Sequence, residues 1–330
     1  MVISRLLQIQ VYHIIQHYKM ANISNTLIRE ITEDLEESLR KAGIFYRIFS
    51  RAKGGDSTMV KLLKKGDTYK LERRKMQDIV GIRIVFYFIE DVEIFHQYLK
   101  QNADYIDESN SSAEMNEQQK AETFAPTRLN LIFRMNQSQT ETLYLDLRDF
   151  KDSHGKDIDL SLIDNTYEVQ LRTVLSEGWH EVEHDLRYKC KEDKWWNNCR
   201  IESRMLNGIY ASLETNERAL EVIFSNMAYK NYKNHEWVPM LRNHFRLRFV
   251  SQNLDTSLKE ILDNNNDIAK EFLRYERSFL QEKLFKLSIT YPLNINNLIF
   301  LLNRLTCDSE NIRNKEPNII KDKLDKIAQL

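Results

Sequence analysis

The sequence predicts a mixed α and β part that extends to about residue 195, followed by an entirely helical region. The 330 residues include only eight glycines and four prolines, where average usage would give about 40. So few chain-breaking residues favour long helices and disfavour an all-β fold with many turns. The stretches that are typical of strands all lie before residue 195, whereas helical periodicity dominates after Arg200.

The N-terminal part begins with a predicted helix over residues 24–42, because apolar residues recur there every four positions and Gly43 follows as a C-terminal cap. The run 79–89 is β-branched and aromatic, and residues 166–172 alternate strictly, as strands do. Residues 101–122 are polar and acidic and predict a mobile loop. Strands are predicted at 44–52, 79–89, 128–135, 142–148 and 166–172.

The next predicted element is a helix over 174–189, with an apolar face formed by Leu175, Trp179, Val182 and Leu186. In the helical region, an Asn/Asp cap at 264–267 precedes an apolar stripe formed by Ile268, Phe272, Tyr275 and Phe279. We therefore divide the chain into an N-terminal extension (1–23), an α+β domain (24–195) and a helical C-terminal region (196–330). The apolar residues of 1–19 predict an amphipathic helix, but a translation start at Met20 is an equal alternative.

Charge and composition exclude several classes of protein. The formal net charge of −1 provides no global field for nucleic acid or membrane, so an anion site must be a local basic cluster. Three cysteines without metal-ligand spacing are typical of a reduced, cytoplasmic setting. Because no uncharged apolar run reaches 18 residues, we expect neither a membrane-spanning segment nor a membrane partner.

The first segment that could carry chemistry surrounds a Gly-Gly pair where a predicted strand meets a predicted helix. Cations near a flexible backbone and a helix N-terminus suit a polyphosphate. The sequence contains neither GxxxxGK[ST] nor GxGxxG, which disfavours the common nucleotide-binding folds. A solvated basic loop is the alternative. The residues concerned are Arg51, Lys53, Ser57 and Lys61.

The second segment places an acid, Asp78, at the start of a buried strand and a cation, Arg83, within it. Burying either charge is costly unless it is paired. Asp78 could therefore be a Mg²⁺ ligand. Alternatively, Asp78 is a capping residue that forms a salt bridge with Arg83.

In the third segment, alternation places Glu168, Gln170 and Arg172 on one face of a strand and Val169 and Leu171 on the other. A row of acid, amide and cation can bind a metal ion and a hydroxyl group, then phosphates. The alternative is the solvated face of an ordinary antiparallel strand.

The fourth segment contains a zinc-protease signature, since His180, Glu181 and His184 spell H-E-x-x-H on a predicted helix. A zinc site would also require a third ligand, for which Glu202 is the one nearby candidate. We favour the alternative that Glu183 and His184 pair with neighbouring side chains and brace the sheet.

In this order, the four segments resemble the synthetase domain of the RelA/SpoT family of alarmone synthetases. The family pattern is R-x-K-x-x-x-S-x-x-x-K, D-x-x-G-x-R, E-x-Q-x-R-T and W-x-x-x-E-H with a following Y-K, and the likeness covers about residues 25–195. The matching residues are Arg51, Lys53, Ser57, Lys61, Asp78, Gly81, Arg83, Glu168, Gln170, Arg172, Thr173, Trp179, Glu183, His184, Tyr188 and Lys189.

This resemblance implies a nucleotidyltransferase-like synthetase fold, with a mixed, mostly antiparallel central sheet flanked by helices. The implied activity is the transfer of a pyrophosphoryl group from ATP to the 3′-hydroxyl of GDP or GTP. By resemblance, Arg51 and Arg83 sandwich the adenine, and Lys53 and Lys61 hold the ATP phosphates. An arginine pair is physically suited to stacking on a base.

The resemblance further implies that Asp78 and Glu168 bind Mg²⁺ and that Glu168 orients or deprotonates the attacking hydroxyl. Arg172 would lie near the acceptor phosphates, and Ser57 and Gln170 belong to the implied nucleotide-binding set. The family's hydrolase half has no counterpart, and His180–His184 does not resemble its metal-binding H-D motif, so we expect synthesis without hydrolysis.

The acceptor side departs from the family pattern G-Y-x-S-x-H. Our alignment places Pro126 at the tyrosine and Asn130 at the histidine, and Phe124 could stack on a base instead. Some relatives are toxins, of which some pyrophosphorylate the 3′ end of tRNA and others use another nucleotide acceptor and make adenosine alarmones. Residues 229–249 mix basic and aromatic residues, which can bind single-stranded RNA, although we favour packing of these aromatics on the synthetase core.

Two further hypotheses stay open at this point. The first is that the domain is a non-catalytic nucleotide sensor, although the presence of both Asp78 and Glu168 argues against it. The second is that the helical C-terminal region mediates homo-oligomerisation or binds a regulatory partner.

Overall fold

The computed structural model describes residues 26–53, 55–73, 75–102, 129–154, 159–183, 186, 199–249, 252–287 and 290–329. Several of our sequence expectations concern residues outside these ranges. They are the N-terminal extension, the loop beyond Asn102, the acceptor-side residues Phe124 and Pro126, and the motif residues His184, Tyr188 and Lys189.

The N-terminal part is built on a four-stranded mixed sheet, which confirms the predicted fold class. Its strand order is β1-β2-β4-β3. The β1–β2 and β3–β4 pairs are antiparallel and the central β2–β4 pair is parallel. The strands are β1 (Tyr46–Ala52), β2 (Val80–Phe86), β3 (Leu129–Arg134) and β4 (Thr166–Thr173).

Helices flank this sheet, and their order along the chain follows the strands. A helix over 26–41, α1, packs its Leu and Ile stripe into the core, as the sequence predicts. Gly43 then adopts φ +65°, the left-handed conformation that glycine supplies at helix ends. The other helices of this part are α2 (Gly55–Glu72), α3 (Ile89–Asn102), α4 (Gln137–His154) and α5 (Val174–Glu183).

The C-terminal region is helical, as predicted, and has its own apolar core. Trp237, Phe245 and Phe272 are among its fully buried side chains. Its helices are α6 (Arg200–Lys233), α7 (Trp237–Phe245), α8 (Thr256–Asn264), α9 (Asn266–Arg274), α10 (Arg277–Lys286), α11 (Ile295–Leu305), α12 (Glu310–Arg313) and α13 (Asn318–Gln329). Within the described ranges, no helix is both long enough and apolar enough to cross a bilayer.

A buried ionic cluster joins the two parts at α3. Arg277 forms ion pairs with Glu90, at 3.0 Å, and with the fully buried Asp91. Phe285 of α10 stacks on Tyr98 of α3, with ring centroids 4.3 Å apart. Breaking a buried ion pair of this kind leaves an uncompensated charge, so the cluster fixes the helical region on the α+β part.

The predicted strand at 142–148 is wrong, since these residues lie inside α4. Alternation in this segment mimics a strand, but Leu143 and Leu147 are also four residues apart and both are buried. The helix start is stabilised by a reciprocal cap, in which Gln139 N donates to Asn136 Oδ1 and Asn136 N donates to Gln139 Oε1. The burial of two leucines on one helical face and the cap at the helix start therefore outweigh the two-residue alternation that is typical of a strand.

Two predicted apolar faces also need correction. In α5, Trp179 is buried but Val182 is exposed, as is Leu186 beyond the end of the helix. Ser176, His180 and Glu183 are buried instead. In the stripe that begins at Ile268, α9 ends at Arg274 and a new helix begins at Arg277, which leaves Phe279 exposed. The predicted cap is confirmed, because the Asn265 side chain accepts a hydrogen bond from Asp267 N.

Candidate active site

One face of the sheet gathers most of the residues singled out from the sequence. Arg51 on β1 pairs with Gly81 on β2, and Gly81 pairs with Glu168 on β4. In the same way, Arg83 pairs with Gln170. Residues paired across strands project to the same face. Arg51, Arg83, Glu168, Gln170 and, two residues further along β4, Arg172 therefore share one face.

The opposite face of the sheet explains why these positions alternate. Ile82, Ile84, Val169 and Leu171 are each no more than 2% exposed and belong to the apolar core. Since successive side chains of a strand point to opposite faces, burying this set leaves the polar set on the outer face. The alternation predicted for 166–172 is thus confirmed in β4.

A row of hydrogen bonds orients the polar side chains across β2 and β4. Arg83 Nε donates to Gln170 Oε1 at 3.0 Å, and Gln170 Nε2 donates to Glu168 Oε2 at 2.9 Å. The Arg83 guanidinium also forms ion pairs with Glu177 Oε1, at 2.8 Å, and with Glu181. The salt bridge between Asp78 and Arg83, one alternative from the sequence, is thus not the one that forms.

Sequence analysis did not identify Glu177 and Glu181 as partners of Arg83. They lie one helical turn apart on α5, and that spacing is the signal that could have indicated a common contact. Glu181 was instead considered as part of a zinc signature.

Asp78 lies between two lysines at the entrance to β2. Lys53 Nζ donates to Asp78 Oδ2 and Lys61 Nζ donates to Asp78 Oδ1, each at 2.7 Å. Burial by itself would raise the pKa of Asp78, but the hydrogen bonds and charges of the two lysines outweigh it and lower that pKa. Burial lowers the pKa of Lys53, whereas for Lys61 the Asp78 contact outweighs burial and raises it.

The backbone brings these three charges together. Lys53 N donates to Ile79 O at 2.8 Å, which ties the end of β1 to the start of β2. Lys61 lies on α2, whose first turn contains Ser57; the Ser57 side chain is outside the described part of the structure. Two ammonium groups against one carboxylate leave a local charge of +1 beside a helix N-terminus, where an anion is favoured.

The acceptor side of the same face contains Arg172 and Asn130. Arg172 Nη2 donates to Asn130 Oδ1 at 2.9 Å, and Nη1 donates to Leu171 O at 2.8 Å. Arg172 is 6% exposed, so these bonds hold its guanidinium in place. Asn130, which our alignment placed at the family histidine, thus occupies the same face through its register with Gln170.

Of the H-E-x-x-H segment, the structure describes His180 and Glu181 but not His184. His180 is buried and packs between Trp179 and Tyr210, with ring centroids at 5.3 and 5.8 Å. Glu181 pairs with Arg83. Among the described residues, no group of three or more His, Cys, Asp or Glu side chains is arranged to hold a metal ion. The described residues therefore give the zinc hypothesis no support.

A comparison with known families finds a match over the part of the chain that forms this face. Residues 50–193 match the family model described as "Region found in RelA / SpoT proteins". Residues 50–193 form a RelA/SpoT region. The match includes all nine of the predicted site residues and supports a pyrophosphokinase at the level of the family.

Solved structures similar to the chain include alarmone synthetases. Small alarmone synthetase 1 from Bacillus subtilis, bound to AMPCPP, is 17% identical, with 63% of this chain and 95% of that chain covered and a TM-score of 0.38. Small alarmone synthetase 2 from Bacillus subtilis is 20% identical, with 62% of this chain and 96% of that chain covered and a TM-score of 0.40. A GTP pyrophosphokinase family protein from Streptococcus pneumoniae is 17% identical, with 70% of this chain and 97% of that chain covered and a TM-score of 0.38.

Likenesses at this level carry no conclusion about this chain, and the assignment rests on the match to the RelA/SpoT family. No curated protein shows a significant match to the sequence.

The RelA/SpoT region is anchored to the helical region at the end of β4. Thr173 Oγ1 and Glu217 Oε1 of α6 are hydrogen-bonded, and Thr173 is also bonded to Ser176 at 2.9 Å. Trp179 Nε1 donates to Leu206 O of α6 at 3.0 Å. The motif residues Thr173 and Trp179 thus fix the strand that carries Glu168 and Arg172 against α6.

Proposed function

We propose that the RelA/SpoT region transfers a pyrophosphoryl group from ATP to the 3′-hydroxyl of a guanosine nucleotide, GDP or GTP. In this reaction an oxygen–phosphorus bond forms between the 3′-oxygen and the β-phosphorus, the bond between the α,β-bridging oxygen and the β-phosphorus breaks, and AMP leaves. The observation that carries the proposal is the common face of β1, β2 and β4, which presents base-stacking, phosphate-binding and carboxylate groups together.

The two arginines of this face have a spacing that suits an adenine ring. Arg51 lies opposite Gly81, and Arg83 lies two residues further along β2. Such diagonal neighbours are about 7–8 Å apart. A planar ring between two guanidinium planes needs about 7 Å, twice the optimal contact distance of about 3.5 Å. Arg51 is exposed, so it can turn towards a base.

The ATP phosphates would be held by Lys53 and Lys61. Their ammonium groups converge on Asp78 within 2.7 Å, so a phosphate chain at this point would contact both. Phosphoryl transfer depends mainly on positioning and on neutralising charge, and a lysine pair beside the N-terminus of α2 supplies both. Ser57, in the first turn of α2, is proposed as a further phosphate-binding residue.

Asp78 and Glu168 are the proposed Mg²⁺ ligands, since carboxylate oxygens are the ligands this ion prefers. Thr166 Oγ1 donates to Gln77 O at 3.1 Å, which places the residue next to Asp78 alongside the start of β4, two residues before Glu168. This neighbourhood supports the proposal that the two carboxylates share one Mg²⁺ ion. A bound Mg²⁺ would neutralise charge on the transferred phosphates.

On the acceptor side, Glu168 would orient the 3′-hydroxyl and accept its proton. Gln170 Nε2 already holds one oxygen of Glu168, at 2.9 Å, which fixes the direction of the other. Arg172, held by Asn130, would bind the acceptor phosphates. The aromatic residues Trp237 and Phe245 of segment 229–249 are buried, but in the core of the helical region and not on the synthetase core as we expected. Packing rather than RNA binding accounts for these two residues.

A label-transfer assay tests this proposal. The purified protein is incubated with Mg²⁺ and terminally labelled ATP, and separately offered GDP, GTP, ATP or bulk tRNA. We expect label in GDP or GTP. Label in tRNA would favour a toxin-type activity, and ATP binding without any transfer would favour a sensor.

The site assignment is tested by Glu168→Gln, with Glu202→Gln as a control that removes an exposed carboxylate of α6. We expect Glu168→Gln to lower the rate about 10²–10³-fold or more, by analogy with loss of one preorganised group, while ATP binding is retained. Full activity of this variant would contradict the assignment of Glu168.

A further inference from the structure

Phe49 is a large apolar side chain that lies open on the proposed nucleotide-binding face. It is in the middle of β1 and 55% exposed. Single exposed apolar residues are common on protein surfaces, so exposure alone indicates nothing. The position of Phe49 is what sets it apart, because β1 alternation places it on the same face as Arg51. The RelA/SpoT sequence pattern begins at Arg51, so it assigns no role to Phe49.

The register of the sheet makes Phe49 a neighbour of both arginines that would hold the base. Phe49 lies directly opposite Arg83, a relation that brings the Cβ atoms to about 4.5–5.5 Å. Arg51 lies two residues along the same strand, about 7 Å away. A ring stacked between Arg51 and Arg83 would therefore come into contact with Phe49.

Among the described residues, the space beside Phe49 is open. A Cβ atom added to Gly81, which lies across from Arg51, would meet no atom of those residues within 4 Å. The Arg83 guanidinium is turned towards Gln170 and Glu177, on the far side of β2 from Phe49. Among the described residues, no aromatic ring stacks on Phe49. The outer face thus has a gap bounded by one aromatic and two cationic side chains.

Such a gap suits a flat aromatic base. Bases stack on aromatic side chains and on guanidinium planes, and this contact tolerates changes of base because every base has a π-face. We propose that Phe49 forms a third wall of the donor-base pocket and contacts the purine ring of the bound nucleoside triphosphate. This inference rests on the proposed function, since it assumes that the donor is a purine nucleotide.

Two probes separate contact with the base from contact with the phosphates. A non-hydrolysable ATP analogue has both groups, whereas inorganic tripolyphosphate has only the phosphate chain. We expect Phe49→Ala to weaken binding of the analogue about 5- to 100-fold, the usual range for loss of one base-stacking residue. Its affinity for tripolyphosphate should be unchanged. Phe49→Trp, which retains an aromatic ring, should bind the analogue nearly as well as the unmodified protein.

Affinities for both probes are measured by calorimetry, and two control variants complete the experiment. Tyr229→Ala removes an aromatic side chain that is also 55% exposed, but on α6, and should change neither affinity. Lys53→Ala should weaken binding of both probes. If Phe49→Ala binds the analogue with unchanged affinity, or loses affinity for both probes equally, the proposed role of Phe49 is wrong. Either result would leave the proposed function standing. If the unmodified protein does not bind the analogue, the proposed function fails and the inference fails with it.

Discussion

The carboxylate of Asp78 accepts hydrogen bonds from the ammonium groups of Lys53 and Lys61. The proposed function assigns the same two groups to the ATP phosphates. Asp78→Asn removes this charge while preserving the size of the side chain. Without metal ions the carboxylate repels the phosphates, so its removal should strengthen metal-free binding of nucleotide. This is opposite to the usual effect of altering a site residue, which makes the variant informative.

The geometry of the lysine pair sets the expected magnitude. A phosphate oxygen that replaces one Asp78 contact on an ammonium group would lie about 4.5 Å from the carboxylate, because the N–H bonds are tetrahedral. Two negative charges at that distance repel each other by about 1 kcal/mol in water and by about 4 kcal/mol at the effective dielectric constant of a protein surface. The three side chains are 23–30% exposed, which favours the lower half, about 1–2 kcal/mol. We therefore expect about 5- to 30-fold tighter binding.

The assay is calorimetric binding of the non-hydrolysable ATP analogue, in EDTA and again in Mg²⁺. Asp78→Asn should bind more tightly than the unmodified protein in EDTA, and Mg²⁺ should strengthen binding in the unmodified protein only. Asp322→Asn removes an exposed carboxylate of α13 and should behave like the unmodified protein. Weaker metal-free binding by Asp78→Asn, or an equal Mg²⁺ effect in both proteins, would refute the assignment of Asp78 as a metal ligand beside the phosphates.

Three further predictions concern stability. Arg277→Ala should lower the free energy of unfolding in urea by about 3–5 kcal/mol, because it removes the ion-pair partner of the fully buried Asp91 and leaves only the hydrogen bond from Gln281. The exposed Arg274→Ala should cost less than about 1 kcal/mol, and equal losses would contradict this. Burial and then Asp149 raise the pKa of Asp146 to about 6. A raised pKa gives stability at low pH that is lost as the pH rises through 6. Asp146→Asn should therefore raise the free energy of unfolding at pH 8 by about 1 kcal/mol, after discounting for its partial exposure, and so raise Tm at pH 8 but not at pH 4. Gly43→Ala should lower Tm, because φ is +65° and the added methyl group would lie 2.6 Å from the Leu293 side chain. An unchanged Tm would contradict the expected backbone strain at this position.

Much of the α+β part could be predicted from local sequence. The alternation of 166–172 correctly predicted both β4 and the face that carries Glu168 and Gln170, because Val169 and Leu171 must be buried together. The stripe of α1 and the cap at Gly43 were equally local and were confirmed. These features depend on residues within about four positions of each other, which a single sequence displays directly.

The rest depended on contacts between distant residues. The partners of Arg83 are 94 and 98 positions away on α5, and no local pattern distinguishes them from Asp78, five residues before Arg83. The segment 142–148 had the periods of both a strand and a helix, and capping by Asn136 and Gln139 decided for the helix. Likewise, exposure of Val182 follows from the way α5 packs on α6, which sequence periodicity does not contain.

The identity of the adenosine product tests the central claim most directly. In a reaction with ATP, Mg²⁺ and GDP or GTP, transfer of a pyrophosphoryl group must release one AMP for each acceptor that gains two phosphates. We expect chromatography and mass spectrometry to detect AMP and the doubly phosphorylated acceptor in equal amounts, and neither in Glu168→Gln. Release of ADP with an acceptor that gains one phosphate would contradict the account.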